Sequence, residues 1–252
     1  MSSTLELALL SCALLGLRHG FDYDHLAAIS DITSVQRTWR EGMRLGLFYA
    51  LGHALTVALL ATAVILLHLS LPRSMDAVGE RLVGATLIIL AIYVLVSFLR
   101  RKPDTTHHHN IPRSRIALLI TGARYTAWRI RTLRTPDAPR PDAFAFRYDR
   151  SSVFIVGIIH GLGAETPSQL LLFLLAANLG GTSKGFLGLL SFITGLLIMN
   201  TLMTASASGI FATSTNRPRL QTFVTSLTAA YSFIIGAIFL LGASDKLPPL
   251  LR

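Results

Sequence analysis

The chain has 252 residues, of which 52% are hydrophobic and 14% are charged, and its mean hydropathy is +0.55. This composition is too apolar for a soluble domain, and the long apolar blocks predict a polytopic membrane protein with α-helical spans. A net charge of +10 is typical of nucleic-acid binders, but here Lys and Arg concentrate in particular loops, which fits membrane topology better and predicts no nucleic-acid partner. The single cysteine, Cys12, excludes an internal disulfide and a thiolate metal cluster.

Six apolar segments each come near or above the roughly 20 residues that a bilayer core requires, so we predict an all-α fold. The N-terminus lacks the basic region of a cleaved signal peptide, and the first segment is therefore predicted to be a retained span. The six predicted spans are Leu5–Ser30, Leu45–Leu69, Leu82–Leu99, Val153–Ala177, Phe186–Ala212 and Leu220–Gly242.

The first span contains a polar stretch, Arg18-His19-Gly20-Phe21-Asp22-Tyr23-Asp24-His25. Charged residues are costly in lipid and usually mark a site or a pathway. Imidazoles with carboxylates suit a late first-row divalent metal ion. On a regular helix His19, Asp22 and His25 lie within an arc of about 120°, and Asp24 points away from it. Either Asp24 has a supporting or structural role, or the helix is irregular at Gly20.

Polar residues deep in the later spans are further candidate ligands. His53 lies in the second span and Asn200 in the fifth. His160 and Glu165 in the fourth span are five residues apart with glycines between them, which predicts a broken helix that exposes backbone carbonyls to a cavity. For each of these residues the alternative is a hydrogen bond that only joins helices. Weaker candidates for lining the path are Thr166, Ser168 and Gln169.

The two halves of the chain share a pattern. His19-Gly20 in the first span has a counterpart in His160-Gly161 of the fourth, and acids follow in each case. Three spans per repeat is an odd number, so the second repeat must be inverted, as in many secondary transporters. We therefore predict a first repeat over residues 1–99, a basic linker over 100–151 and a second repeat over 152–252.

Lys and Arg residues outside the spans predict the orientation. Seventeen lie in the loops that follow the first, third and fifth spans, against five on the opposite side. The first side is predicted to be cytoplasmic, with linker 100–151 in the cytoplasm and both termini outside a plasma or inner membrane. Within the linker, Ile116–Arg134 is either an amphipathic helix on anionic headgroups or a disordered basic loop. The tract His107-His108-His109 either collects metal or is a solvated polar loop.

The run Arg18–Ile29 resembles the first signature of the nickel/cobalt transporter family (NiCoT), RHA(V/F)DADHI with the core H-x4-D-H. His19, Asp24 and His25 match the core, whereas Gly20 and Tyr23 replace alanines.

Two further segments are similar to the same family. Phe48–Val57 resembles its second segment, in which Phe precedes Gly-His, and Leu162–Gln169 resembles a divergent LGxDTATE. There Glu165 stands for the Asp and Gln169 for the final Glu, which removes one carboxylate. The long linker also departs from the family, as does the count of six spans where eight are usually drawn.

The resemblance implies a high-affinity Ni²⁺ or Co²⁺ permease of the secondary type, in which His19, Asp24 and His25 are needed for transport. Its partners are the divalent metal ion, as substrate, and the lipid bilayer; we expect no cofactor and no enzymatic activity. The alternatives are a metal efflux permease on the same scaffold and an intramembrane metal-dependent enzyme, although no H-E-x-x-H motif supports a zinc protease. The predicted metal-site residues are His19, Asp22, Asp24, His25, His53, His160, Glu165 and Asn200.

Overall fold

A computed structural model describes residues 3–36, 38–67, 73–99, 149–163 and 181–248, together with positions 128 and 250. Helices are the only regular secondary structure in this part of the chain. They are α1 (Ser3–Gly20), α2 (Tyr23–Ser34), α3 (Trp39–Leu67), α4 (Arg73–Leu99), α5 (Arg150–His160), α6 (Thr182–Ser214) and α7 (Pro218–Leu240), followed by a 3-10 turn at Ser244–Lys246.

Four of the described helices, α3, α4, α6 and α7, are long and apolar enough to cross a membrane, and α1 with α2 makes a fifth span if the bent pair counts as one. The chain is thus an all-helical, multi-pass membrane protein in its described part, as its composition predicts. The fourth predicted span corresponds to α5, after which residues 164–180 lie outside the described residues. The predictions for His107-His108-His109 and, apart from Trp128, for Ile116–Arg134 also lie outside them.

The first predicted span is broken into α1 and α2, whose axes differ by 55°. α1 ends at Gly20. The backbone N–H groups of Phe21 and Asp22 donate hydrogen bonds to the carbonyl oxygens of Arg18 and His19 in its last turn. Asp22 has an extended backbone and is the N-cap residue of α2, where a carboxylate is favoured by the helix dipole. The helix is therefore irregular just after Gly20, inside the polar stretch.

Two helix starts differ from, or add to, the sequence expectation. α4 begins at Arg73, earlier than the predicted start at Leu82. The prediction began later because charged residues lower the hydropathy of the first turns of this helix. One of them, Glu80, accepts the backbone N–H of Ser244 at 2.8 Å. α5 begins with a capping box in which Asp149 accepts the backbone N–H of Ser152 at 2.8 Å. Hydrogen bonds from Ser152 lower the pKa of the Asp149 carboxyl below its ordinary value.

α2 lies at the centre of the helix bundle. It contacts α3, α4, α6 and α7, and nine of its twelve residues are buried. Long apolar side chains on the surrounding helices point outward instead, for example Leu59 of α3 and Leu202 of α6, as expected of helices that face lipid. The polar stretch at the start of α2 is therefore enclosed by protein.

Glycines bring α1 against α6. A Cβ atom at Gly16 would overlap the carbonyl oxygen of Phe192, and one at Gly195 would overlap the carbonyl oxygen of Ala13. Small residues at membrane helix crossings allow such close backbone approach. The contact fixes the level of the C-terminal end of α1 against α6.

A matching pair of glycines brings α5 against α3. A Cβ atom at Gly157 would overlap the carbonyl oxygen of Tyr49, and one at Gly52 would overlap that of Phe154. α3 and α6 also pack on each other, and so do α4 and α7. In this way α5 is positioned against α3 as α1 is positioned against α6.

Candidate metal centre

Three histidines from three helices meet at the broken span. His19 lies in the last turn of α1, His25 in the first turns of α2 and His53 near the middle of α3. One ring nitrogen from each can be chosen so that all three atoms lie within 4.8 Å of one another. His25 and His53 are fully buried and His19 is 5% exposed. Three converging imidazoles are a suitable donor set for one late first-row divalent ion. We call these residues the histidine cluster.

The distances inside the histidine cluster are close to those of a single coordination sphere. Nε2 of His19 lies 3.1 Å from Nε2 of His53. The ring centroids of His25 and His53 are 4.5 Å apart, and those of His19 and His25 are 5.0 Å apart. Two nitrogens bound to one ion at about 2.1 Å are themselves separated by about 3 Å when they occupy neighbouring positions. The rings therefore need little movement to share an ion.

Two carboxylates hold the rings of the histidine cluster. Asp24 accepts the Nδ1–H of His25 at 3.0 Å, which places the proton on Nδ1 and leaves the Nε2 lone pair for a ligand. Asp22 lies 3.4 Å from Nδ1 of His19. Both alternatives that the sequence left open thus occur together, because Asp24 supports His25 and the helix is also irregular.

His160 lies beside the cluster but uses both ring nitrogens in hydrogen bonds. Thr86 donates its only hydroxyl proton to the Val83 carbonyl at 2.8 Å, so it accepts from Nε2–H of His160, also at 2.8 Å. Nδ1 of His160 then accepts from the Tyr49 hydroxyl at 3.1 Å. In this arrangement His160 offers no lone pair to a metal, and it contacts the cluster through Tyr49.

The other two predicted ligands are not joined to the cluster by the contacts of the described residues. Asn200 is fully buried in α6, and neither of its amide atoms has a hydrogen-bond partner among the described residues. Glu165 lies outside the described residues, as do Thr166, Ser168 and Gln169.

Tyr49 and Thr86 were not singled out from the sequence. Tyr49 precedes His53 by four residues, which puts the two on the same face of α3, so a signal was present. The rings of Tyr49 and His25 are 6.1 Å apart. Thr86 gave no signal, because its approach to His160 depends on the packing of α4 against α5.

Comparisons with known proteins match this chain over most of its length. The urease accessory protein UreH of Bacillus sp. (strain TB-90) is 25% identical over 92% of this chain and 91% of its own. The nickel transporter NixA of Staphylococcus aureus is 23% identical over 92% and 72%, and the cobalt transport protein NhlF of Rhodococcus rhodochrous is 28% identical over 93% and 70%. No protein-family model matches the chain, and no solved structure matches it significantly.

These matches extend well beyond the polar stretch of the first span, and they agree with the family resemblance of its motif. The chain is therefore similar over nearly its whole length to proteins named as nickel and cobalt transporters.

Proposed function

We propose that this protein carries Ni²⁺ or Co²⁺ across the membrane into the cell, and that the histidine cluster is where the ion binds on its way. The observation that carries the proposal is the convergence of three buried imidazole nitrogens within 4.8 Å of one another. Relatives that align with nearly the whole chain are named as nickel and cobalt transporters, which supports the substrate class and agrees with the prediction of no enzymatic activity.

The donor set suits transport. Imidazole nitrogens are favourable ligands for Ni²⁺ and Co²⁺. The cluster contains no thiolate, which would bind these ions too tightly for them to be released during transport. A doubly charged ion in a buried site needs negative charge nearby, and Asp22 and Asp24 supply it through His19 and His25. We assign direct ligation to the three histidines and a supporting role to the two carboxylates.

The remaining predicted residues take different roles in the proposal. His160 positions Tyr49 against the cluster rather than binding metal, because both of its nitrogens are hydrogen-bonded. Asn200 has an amide oxygen without a partner in the described structure and lines the path on α6. Glu165 would add a carboxylate from the second half of the chain.

We further propose that residues 1–99 and 152–252 are inverted three-span repeats joined by the linker 100–151. Gly16 stands three residues before His19, and Gly157 stands three residues before His160. The contacts of these two glycines support the repeat. Gly16 faces the carbonyl of Phe192, which is three residues before Gly195, and Gly157 faces the carbonyl of Tyr49, which is three residues before Gly52. The same contact thus joins the two halves of the chain twice.

The packing of the last helices supports the same symmetry. A Cβ atom at Gly84 of α4 would lie 2.6 Å from the carbonyl oxygen of Gly236, and one at Gly236 of α7 would lie 2.9 Å from that of Gly84. A contact in which the same pair of residues is exchanged between the two repeats lies on the pseudo-two-fold axis that relates them. Rocking of one repeat against the other would then open the central site to each side in turn.

Charge supports the orientation and the direction. The Lys and Arg excess in the loops after the first, third and fifth spans favours a cytoplasmic location for these loops in a cell membrane. An inside-negative potential of 100 mV favours entry of a doubly charged ion by about 4.6 kcal/mol. Uptake therefore needs no ATP hydrolysis by this chain, which lacks a GxxxxGK[ST] motif.

The test is accumulation of radioactive nickel and cobalt in cells expressing the wild type, His25→Ala or Ser30→Ala at matched membrane levels. Ser30 is the control because it lies on α2 away from the cluster. We expect saturable uptake in the wild type and Ser30→Ala, and uptake at the level of cells without the protein in His25→Ala.

Two results would contradict the proposal. Faster metal loss from preloaded cells, without accumulation, would show efflux on the same scaffold. Full uptake by His25→Ala would remove the histidine cluster as the binding site.

A further inference from the structure

A second buried acid, Asp31, lies on α2 outside the polar stretch that resembles the family signature. It is 0% exposed, and neither of its carboxylate oxygens has a hydrogen-bond partner among the described residues. A buried carboxylate that makes no hydrogen bond is costly, and in membrane proteins such groups mark ion pathways. Helix packing alone does not account for it.

Hydroxyl groups lie on the face of α7 that packs near Asp31. The Ser232 hydroxyl lies within reach of the Asp31 carboxylate, and its hydrogen bond to the carbonyl oxygen of Ala27 is long, at 3.4 Å. Thr225 and Thr228 share the buried face of α7 with Ser232, and the Thr225 hydroxyl has no partner in the described structure. The interface between α2 and α7 therefore carries a carboxylate and hydroxyls.

Asp31 lies further along the path than the histidine cluster. It follows Asp24 by seven residues, which places both on the same face of α2 with about 10 Å between them along the helix axis. It lies one turn before the end of α2 at Ser34, and α3, with Arg40 in its first turn, begins shortly after. In the proposed orientation this is the cytoplasmic side of the cluster.

We propose that Asp31 and the Ser232 hydroxyl form a second station for the transported divalent cation, which the ion occupies between the histidine cluster and the cytoplasm. This inference rests on the proposed transport function. Ni²⁺ and Co²⁺ prefer imidazole nitrogen, whereas carboxylate and hydroxyl oxygens hold them more weakly. An ion that moves from the cluster to Asp31 keeps a compensating negative charge and is held less tightly, which favours its release.

Equilibrium binding of Co²⁺ to the purified full-length protein tests the station directly. The wild type should bind one ion tightly and one weakly. His25→Ala should lose the tight ion, and Asp31→Asn should lose the weak ion only. Asp31→Glu keeps the carboxylate and should keep both, and the neighbouring Ser30→Asn is the matched control that should bind as the wild type does.

Uptake into proteoliposomes supplies the second measurement. Asp31→Asn should lower the maximal rate about tenfold or more while the half-saturating concentration changes less than about threefold, because entry to the cluster is intact and release is slowed. Asp31→Glu should recover much of the rate. A carboxylate that only stabilised the fold would not separate these two parameters.

The outcomes distinguish this inference from the proposed function. If Asp31→Asn retains the weak Co²⁺ site and the wild-type rate, the second station is wrong and the transport function stands. If His25→Ala retains the tight site and full uptake, the proposed function fails instead. If Asp31→Asn does not remain monodisperse, Ser232→Ala decides: it should weaken the weak site several-fold, and unchanged binding would overturn the station.

Discussion

The crossing of α3 with α5 determines where His53 lies, and Gly52 is the residue that permits it. A Cβ atom at Gly52 would overlap the carbonyl oxygen of Phe154 and would lie 3.2 Å from the backbone nitrogen of Ile158. These are backbone atoms and cannot rotate away, so in Gly52→Ala the two helices must separate by about 1 Å, at a cost of about 1–3 kcal/mol in the free energy of unfolding. The shift displaces the neighbouring His53, so we expect nickel affinity to fall about tenfold or more.

Gly209→Ala is the matched control for Gly52→Ala, because no atom lies within 4 Å of a Cβ built at Gly209 of α6. Thermal unfolding of the purified proteins, followed by tryptophan fluorescence, should show a lower Tm for Gly52→Ala, by about 2–4 °C for each kcal/mol. Gly209→Ala should be unchanged or more stable, because alanine is the better helix former. Equal Tm values and equal nickel affinities for the two variants would refute the reasoning.

Three further substitutions have distinct expected outcomes. Asp24→Asn keeps an acceptor for His25 but removes the charge, so nickel affinity measured by calorimetry should fall about 10- to 100-fold. Tyr49→Phe leaves Nδ1 of His160 without its donor and should lower the free energy of unfolding by about 1–3 kcal/mol in denaturant titrations, with metal affinity nearly unchanged. Asp149→Ala removes the capping box of α5 and should cost about 1 kcal/mol in the same titrations at neutral pH.

The Asp149 contribution carries its own pH dependence. Because the pKa of its carboxyl is lower in the folded protein than its ordinary value of 3.8, the stabilisation is complete at neutral pH and is lost as the pH falls below that value. The stability difference between Asp149→Ala and the wild type should therefore vanish in acid. A difference that persists at low pH would contradict the capping role. An unchanged nickel affinity in Asp24→Asn would contradict the supporting role of Asp24. A large loss of nickel affinity in Tyr49→Phe would contradict the role given to Tyr49.

The sequence predicted most of the helices because long apolar blocks report directly on spans. The break after Gly20 was open to two interpretations, since periodicity assumes a regular helix and cannot show where one ends. The early start of α4 was missed because Asp76 and Glu80 lower the hydropathy of its first turns. Sequence spacing also could not show that Asp24 supports His25, because on a regular helix it placed Asp24 away from the other polar residues.

The histidine cluster could be predicted in its residues but not in its geometry. His19 and His25 share a motif, whereas the approach of His53 depends on the crossing of α3 with neighbouring helices, which no local pattern reports. His160 looked equivalent to His19 in the sequence, and only the hydrogen bonds to Tyr49 and Thr86 distinguish the two. Asp31 follows the motif closely in sequence, and only its burial without a hydrogen bond made it a candidate.

Nickel K-edge X-ray absorption of the purified, nickel-loaded protein tests the central claim most directly, because its fine structure counts imidazole ligands. We expect about three imidazoles in the first coordination shell of the wild type, and about two in His53→Ala with oxygen in the vacated position. A wild-type spectrum with oxygen ligands alone, or one unchanged by His53→Ala, would contradict the assignment of His19, His25 and His53 as the metal site.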